Sequence, residues 1–156
     1  MAILALDQGT SATKALIVGD DGQVIASASA PLEISHSQVG ASTAKAEDMW
    51  QSVITAAKAA IDSDGFKKSK QKISAVGLAN QGESILAWDK KTGKALSEVI
   101  IWQDSRSSEY CTKRQDKSEL VLSKSGLAID PYFVAPKILW LKDFLPNLSS
   151  QAVITT

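Results

Sequence analysis

An acidic side chain, a glycine, two hydroxyls and a lysine follow one another near the start of the chain. They are Asp7, Gly9, Thr10, Ser11 and Lys14. A carboxylate at a strand end can hold Mg²⁺, while hydroxyls, backbone N–H groups and a nearby cation suit the oxygens of a phosphate tail. The stretch is not a Walker A loop, because the Gly-Lys-Ser/Thr ending is missing and no helix is predicted to follow. An ordinary hairpin in which Asp7 caps backbone N–H groups explains the same residues equally well.

A second polar cluster follows a predicted strand further along the chain. It consists of Asn80, Gln81, Gly82 and Glu83. Amide and carboxylate groups at the carboxyl end of a strand are well placed to bind the hydroxyls of a small polar ligand. A plain polar turn between two strands is the competing interpretation, and for this cluster alone it is the stronger one.

Two aromatic clusters come later in the chain. Trp102 stands beside Asp104 and Arg106, a combination of an apolar wall and hydrogen-bonding groups that suits a polyol or a sugar. A core tryptophan next to an acid–base pair that opens a helix is at least as good an interpretation. The second cluster contains Asp130 and Tyr132. The competing interpretation of this cluster is a loop that packs aromatic side chains before the last helix.

The elements that must position these clusters are predicted from hydrophobic periodicity and turn residues. A meander of three strands, one helix, a central strand and mostly helical segments make an α/β chain. The run 2–7 is predicted to be a strand buried on both faces, and 73–79 to be a second buried strand at the centre of the sheet. The lysine-rich residues 66–72 are predicted to be a solvated connection. The apolar stripe of the first helix places Trp50 in the core. Strands are predicted over 2–7, 13–18, 24–30, 73–79, 84–89 and 99–102, with another beginning in the C-terminal residues 148–156, and helices over 47–61, 105–114, 118–124 and 136–144.

Composition excludes several classes of function. A chain of 156 residues with 44% hydrophobic and 22% charged side chains predicts one folded domain rather than disorder. Its 17 basic and 17 acidic residues balance, so it has no electrostatic footprint for nucleic acid. No apolar stretch approaches the roughly 20 residues of a membrane helix, and no leader sequence is recognisable. Cys111 is the single cysteine, so no internal disulfide forms, and a reducing cytoplasm is the expected location.

In this order, the four clusters resemble the FGGY family of carbohydrate kinases, and within it the glycerol kinases most closely. The resemblance implies an actin-like, two-domain kinase with a ribonuclease-H-like core, that is, a mixed sheet with flanking helices. Residues 1–156 would be the N-terminal part of the substrate- and phosphate-binding domain, incomplete at its C-terminus and without the adenine-binding domain. The motifs that carry the resemblance are the hairpin 6–11, the polyol-site positions 80–83, 102 and 130–133, and 137–140 in a signature helix.

The resemblance also implies a reaction and a set of residue roles. Family members transfer the γ-phosphoryl group of MgATP to a hydroxyl of a polyol or sugar. The general-base Asp would lie downstream of Thr156, so the isolated chain is expected to be inactive. By carry-over, Asp7 would position Mg²⁺, Thr10, Ser11 and Lys14 would approach the phosphates, and Gln81, Glu83, Trp102 and Tyr132 would contact the substrate.

Two positions depart from the glycerol kinase pattern. Gly82 stands where glycerol kinases have an arginine before the Glu. The missing guanidinium removes a donor to the substrate hydroxyls and leaves space, so a polyol or ketose bulkier than glycerol becomes a credible substrate. Val134 stands where the signature has a small hydroxylated residue or proline.

Two other classes of function stay open. A non-catalytic actin-like module for binding or assembly is one, although such a module need not keep Asp7 and Glu83. A ribonuclease-H-like nuclease would recruit Asp7, Glu83 and Asp104 as metal ligands, but the neutral charge and the match at Trp102 and Tyr132 argue against it. The expected partners are ATP and a small polyol or sugar, with no nucleic acid and no membrane. Apolar surface left by an incomplete core would favour self-association into a homo-oligomer.

Overall fold

The chain folds into two compact units. A computed structural model describes residues 1–37, 39–145 and 152–156. Unit 1 comprises residues 1–34 and 45–81, and unit 2 comprises 35–44 and the described residues from 82 onwards. The elements in chain order are β1 (Ala2–Gln8), β2 (Ala12–Gly19), β3 (Val24–Pro31), β4 (Thr43–Ala44), α1 (Ala46–Asp62), α2 (Asp64–Ser69), β5 (Ile73–Ala79), β6 (Leu86–Asp89), β7 (Val99–Ile100), α3 (Ser108–Thr112), a 3-10 turn (Gln115–Lys117), α4 (Ser118–Ser125), α5 (Val134–Phe144) and β8 (Ala152–Thr155).

Unit 1 is built on the predicted meander, which the structure confirms. β1 pairs antiparallel with β2, and β2 pairs antiparallel with β3. β5 pairs in parallel with the other edge of β1, so the strand order is β3-β2-β1-β5. Along β1 and β2 buried and exposed residues alternate, as expected for strands that have one face against a core. The prediction that residues 2–7 are buried on both faces is therefore wrong, and Ile3 on the outer face is 49% exposed.

Helix α1 covers one face of this sheet with small side chains. Its buried residues are Ser52, Ala56 and Ala60, which share one face because they are four residues apart. The prediction that Trp50 lies in the core is wrong, since Trp50 is 58% exposed. Small side chains on the packed face let the helix approach the strands closely, and this orientation turns the bulky Trp50 away from them.

Two further predictions for unit 1 are wrong. The strand 73–79 was predicted to be buried and central, but β5 is the outer strand of the sheet, and its Val76 and Leu78 are 61% and 65% exposed. The predicted connection 66–72 instead contains the end of helix α2. This helix begins after Ser63, whose Oγ accepts a hydrogen bond from Phe66 N at 3.2 Å, the usual contact of a serine N-cap.

Unit 2 combines short strand pairs with helices around a small core. β4 pairs with β7 and β6 pairs with β8. Ile85, Ala87, Ile100 and Leu141 form the buried cluster. The strand predicted near the C-terminus is present from Ala152, whereas residues 148–151 of that prediction lie outside the described residues.

The helices of unit 2 are shorter or begin elsewhere than predicted. The helix predicted over 105–114 is reduced to α3, because Asp104 and the residues after it form a turn with Ser105 N bonded to Gly40 O. Helix α5 begins at Val134, so Pro136 is its third residue rather than its first. Proline is tolerated there, since the first N–H groups of a helix have no partner within the helix. Among the described residues no helix is long and apolar enough to cross a membrane.

Candidate functional site

The hairpin of β1 and β2 places an acid and a base next to each other. Asp7 pairs directly with Lys14 across the two strands. Directly paired residues project on the same face of a sheet, and both of these residues are exposed. Neither side chain forms an ion pair in the described part of the chain. The hairpin therefore exposes a carboxylate and an ammonium group on the same face.

The turn between these strands is tight. Gly9 N donates to Ala12 O at 3.0 Å, and Leu32 N donates to Ser11 O at 2.9 Å. A Cβ atom at Gly9 would lie 3.1 Å from Ala12 O, so a side chain there would push against the bond that closes the turn. Thr10 is half-buried and Ser11 is exposed. The turn thus carries two hydroxyls beside the Asp7 carboxylate.

Two glutamine amides hold this turn. Gln81 Nε2 donates to Gln8 Oε1 at 3.2 Å and to Gly9 O at 3.1 Å. Gln8 Nε2 also donates to Gly9 O, at 2.8 Å, and Gln8 is buried. The sequence interpretation gave Gln8 no role, although its place between Asp7 and Gly9 was a signal for a residue that supports the turn.

In unit 2, three of the predicted substrate contacts come together. One Glu83 carboxylate oxygen accepts a hydrogen bond from Val134 N at 3.0 Å, which places negative charge at the N-terminus of α5, where it is stabilised. The rings of Trp102 and Tyr132 meet edge to face, with centroids 5.8 Å apart at 63°. Ser84 Oγ accepts from Trp102 N at 3.0 Å. Glu83, Trp102 and Tyr132 therefore belong to one group of connected segments.

The acid–base pair near Trp102 supports the structure of unit 2. Asp104 is buried, and its Oδ2 atom accepts from Ser42 N at 2.8 Å and from Arg106 Nε at 2.9 Å. A second Arg106 nitrogen lies 2.8 Å from the same carboxylate. The Arg106 guanidinium lies 4.4 Å from the centre of the Trp140 ring. These contacts favour the interpretation of Asp104 and Arg106 as a helix-opening pair rather than as ligand-binding groups.

A buried lysine lies beside Tyr132, and the sequence interpretation gave it no role. Lys137 is 1% exposed, and its ammonium donates to Tyr132 O. Burial lowers the pKa of Lys137, and the nearby carboxylates of Glu83, Asp104 and Asp130 oppose that shift. One feature of the sequence could have predicted this burial. Lys137 is four residues before Leu141 and therefore shares its helical face, and Leu141 is buried.

A groove of about 270 Å³ also lies within unit 2. Its walls are largely apolar, and Leu127, Ile129, Phe133 and Leu139 contribute to them. A polyol needs hydrogen-bond partners for each hydroxyl that it buries, so the group around Glu83 suits a polyol better than this groove does.

Two of the acids that a two-metal nuclease would recruit, Glu83 and Asp104, already have partners in unit 2. Within residues 1–37, 39–145 and 152–156, no group of three or more His, Cys, Asp or Glu side chains could hold a metal ion. Of the three acids that such an enzyme would recruit, Asp104 is already paired with Arg106 and Glu83 caps α5. A single exposed carboxylate such as Asp7 suits a metal ion that is held mainly by phosphates.

Solved structures define the class of fold. A glycerol kinase from Plasmodium falciparum, solved with ADP, superposes with a TM-score of 0.82 at 28% identity, covering 99% of this chain and 32% of that one. A xylulose kinase from Lactobacillus acidophilus superposes with a TM-score of 0.82 at 24% identity, covering 97% of this chain and 30% of that one. The chain has the actin-like ATPase fold of these carbohydrate kinases, as the sequence predicted.

The family follows from the sequence comparison. The model of the FGGY family of carbohydrate kinases, N-terminal domain, matches residues 2–155, and the chain belongs to this family. It is 36% identical over 152 residues to a glycerol kinase from Gluconobacter oxydans, covering 96% of this chain and 29% of that protein. It is 35% identical over 153 residues to an apulose kinase from Pectobacterium atrosepticum, covering 97% and 30%. The chain thus spans about 30% of the length of these relatives, and the predicted resemblance is confirmed.

Proposed function

We propose that this protein is an ATP-dependent kinase that phosphorylates a hydroxyl of a polyol or sugar. The observation that carries the proposal is that Asp7 and Lys14 lie opposite each other on a hairpin whose turn contains Gly9. This hairpin belongs to a chain of the FGGY family. In this proposal the hairpin binds the phosphates, and the group around Glu83 contacts the acceptor. A cytoplasmic location is part of the proposal, since ATP is available there and the buried thiol of Cys111 stays reduced.

The hairpin fits the phosphate end of MgATP. MgATP, when bound, supplies the γ-phosphoryl group. Asp7 would hold the metal ion, since its carboxylate is exposed at the end of β1. Lys14 would offset the charge of the phosphate oxygens, and the hydroxyls of Thr10 and Ser11 would donate hydrogen bonds to them. The missing side chain at Gly9 keeps the turn tight, and Asp7 and Lys14 stay directly opposite each other across the two strands.

The group in unit 2 fits the acceptor. Glu83 has two carboxylate oxygens, and one of them is engaged by Val134 N. Its carboxylate would accept hydrogen bonds from substrate hydroxyls, and the edge-to-face rings of Trp102 and Tyr132 would cover the C–H surface of the sugar. Gln81, which belongs to unit 1 and holds Gly9 O through its amide nitrogen, is a further proposed substrate contact. In this proposal Glu83, Trp102 and Tyr132 orient the acceptor and exclude water, which is how most of the rate of phosphoryl transfer is gained.

Residues 1–156 by themselves are expected to be inactive. Phosphoryl transfer to a hydroxyl needs a group that takes the hydroxyl proton, and we assign that base to none of these residues. Purified residues 1–156 should release no ADP above the uncatalysed rate in the presence of MgATP and an acceptor. Turnover that disappears in the Asp7→Ala variant would contradict this assignment.

Open space at Gly82 supports an acceptor larger than glycerol. Apart from Gly82 itself and its two chain neighbours, no heavy atom of the described residues lies within 4 Å of the position that a Cβ atom of Gly82 would take. A side chain could stand there without a clash, so its absence leaves room beside Glu83. We therefore propose a longer polyol or a ketose as the substrate.

The test is a substrate panel with the full-length protein and MgATP. ADP release would be followed with glycerol, longer polyols and ketoses, and the greatest kcat/KM is expected for an acceptor longer than glycerol. The Gly82→Arg variant should shift the ratio of kcat/KM values towards glycerol by about tenfold, whereas Gly82→Ala should leave this ratio nearly unchanged. Tight binding of ATP without turnover on any acceptor would instead favour the non-catalytic actin-like module.

A further inference from the structure

The bulkiest side chain that the described part of the chain buries completely is a charged one. Lys137, in the first turn of α5, is 1% exposed. A buried ammonium is costly unless it is paired and hydrogen-bonded, and the N-terminal turn of a helix is an unfavourable place for a cation. Its surroundings must therefore compensate for both effects.

The compensation comes from the segment that leads into α5. The Lys137 ammonium donates to Tyr132 O and lies 5.8 Å from the centre of the Tyr132 ring. The charges of Glu83, Asp104 and Asp130 stabilise it. Lys137 is thus the cation within a set of carboxylates, two of which also bind the backbone next to Tyr132.

Charged side chains hold this segment at successive backbone atoms. Asp130 Oδ1 accepts from Tyr132 N at 2.8 Å, Lys137 donates to Tyr132 O, and Glu83 accepts from Val134 N at 3.0 Å. The peptide groups on both sides of Tyr132 are therefore held by side chains rather than by a strand ladder. Of these three side chains, Lys137 alone is cationic, and its charge also attracts the other two.

We propose that Lys137 is a positioning residue for the acceptor, which it orients by fixing the Tyr132 backbone and the Glu83 carboxylate. The inference rests on the proposed function, in which Tyr132 and Glu83 contact the sugar. Lys137 itself contacts no substrate. Without its ammonium, Tyr132 O loses its donor, and the three carboxylates lose the cation that they share.

The first test compares Lys137→Met with the wild type in the full-length enzyme. Methionine is similar in length, unbranched and apolar, so it fills the volume without donating a hydrogen bond. The KM for the sugar is expected to rise about tenfold, with the KM for ATP within twofold of the wild-type value. Lys142→Met is the matched control, since Lys142 is exposed on the same helix, and both of its KM values should stay unchanged.

The conservative variant separates positioning from packing. Lys137→Arg keeps the charge and the donor but fits the cavity less well, whereas Lys137→Met keeps the fit and loses both. If Lys137 positions the acceptor, the sugar KM of the arginine variant lies nearer to the wild-type value than that of the methionine variant. The reverse order, or an equal rise of the KM values for sugar and ATP, would overturn the inference.

The pH dependence of the wild-type enzyme gives a measurement that needs no variant to fold. Burial lowers the pKa of Lys137, so the ammonium loses its proton at a lower pH than an exposed lysine does. The charged and titratable groups that face it are Glu83, Asp104, Asp130, Cys111 and Tyr132. The sugar KM should therefore rise with increasing pH already below the pKa of about 10.4 that an exposed lysine has, while the ATP KM does not. A sugar KM that stays flat up to that pH would overturn the inference.

The two proposals fail in different ways. Absence of turnover by the wild-type enzyme on every acceptor would overturn the proposed function. Turnover by the wild type together with an unchanged sugar KM in Lys137→Met would overturn only the positioning role of Lys137.

Discussion

Unit 1 presents its candidate ligands on one continuous hairpin, whereas unit 2 gathers its candidates from separate segments. In unit 1, Asp7 and Lys14 are placed by the backbone ladder between β1 and β2. In unit 2, Glu83, Trp102 and Tyr132 belong to different turns, which are joined by bonds between side chains and backbone atoms. The two groups of candidate residues are thus positioned in two different ways.

The difference predicts how each unit responds to substitution. Ladder hydrogen bonds do not depend on side-chain identity, so a change at Asp7 should alter the chemistry and leave the geometry intact. The bonds of unit 2 come from charged side chains that also serve the proposed site. A change at Glu83 should therefore alter binding and stability together.

The largest expected effect is that of Asp7→Asn in the full-length enzyme. The amide keeps the shape of the carboxylate but loses the charge that we propose holds the metal, so kcat should fall by about 100-fold or more. The melting temperature should stay at the wild-type value. Asp48→Asn, which changes an exposed acid in the first turn of α1, is the control and should keep full activity. A parallel fall in melting temperature would show that Asp7 supports the fold instead.

The second largest effect is expected for Glu83→Ala, which should change both the free energy of unfolding and the sugar KM. It removes a charged acceptor from Val134 N, so urea unfolding should show a loss of about 1.5–3 kcal/mol, and the sugar KM should rise. Glu83→Gln retains an acceptor oxygen and should recover part of the stability. The control is Glu119→Ala, in the first turn of α4, where the side chain is exposed. Normal stability combined with a raised KM in Glu83→Ala would contradict the coupled behaviour of unit 2.

The smallest effect tests unit 1 away from its ligands. Thr13 Oγ1 lies 2.7 Å from Ser52 Oγ, and Ser52 Oγ donates its single hydrogen to Met49 O, so Thr13 must donate to Ser52. Thr13→Val should lower the free energy of unfolding by about 1 kcal/mol and change kcat/KM by less than twofold. Thr55→Val, on the exposed face of α1, is the matched control in urea unfolding. A loss of activity in Thr13→Val would show that the hairpin depends on this buried bond.

Local patterns in the sequence predicted those elements whose conformation depends on residues close to one another in the chain. The meander, the hairpin from Asp7 to Lys14 and helix α5 follow from alternation, turn residues and helical spacing, which act within a few residues. The motif order also identified the FGGY family, which the match over residues 2–155 confirms. The roles of the individual residues in phosphate and sugar binding stay predictions.

The tertiary structure decided which side chains are buried and what they hold. The face that α1 turns to the sheet depends on contacts such as Thr13 with Ser52, which are 39 residues apart. The cap of α5 joins Glu83 and Val134, which are 51 residues apart. Sequence periodicity does not identify partners that are so far apart in the chain. The apolar stripe of the helix therefore predicted wrongly that Trp50 is buried. The burial of Lys137 likewise became evident only once its partners were in place, because desolvation and charge pairing act through space rather than along the chain.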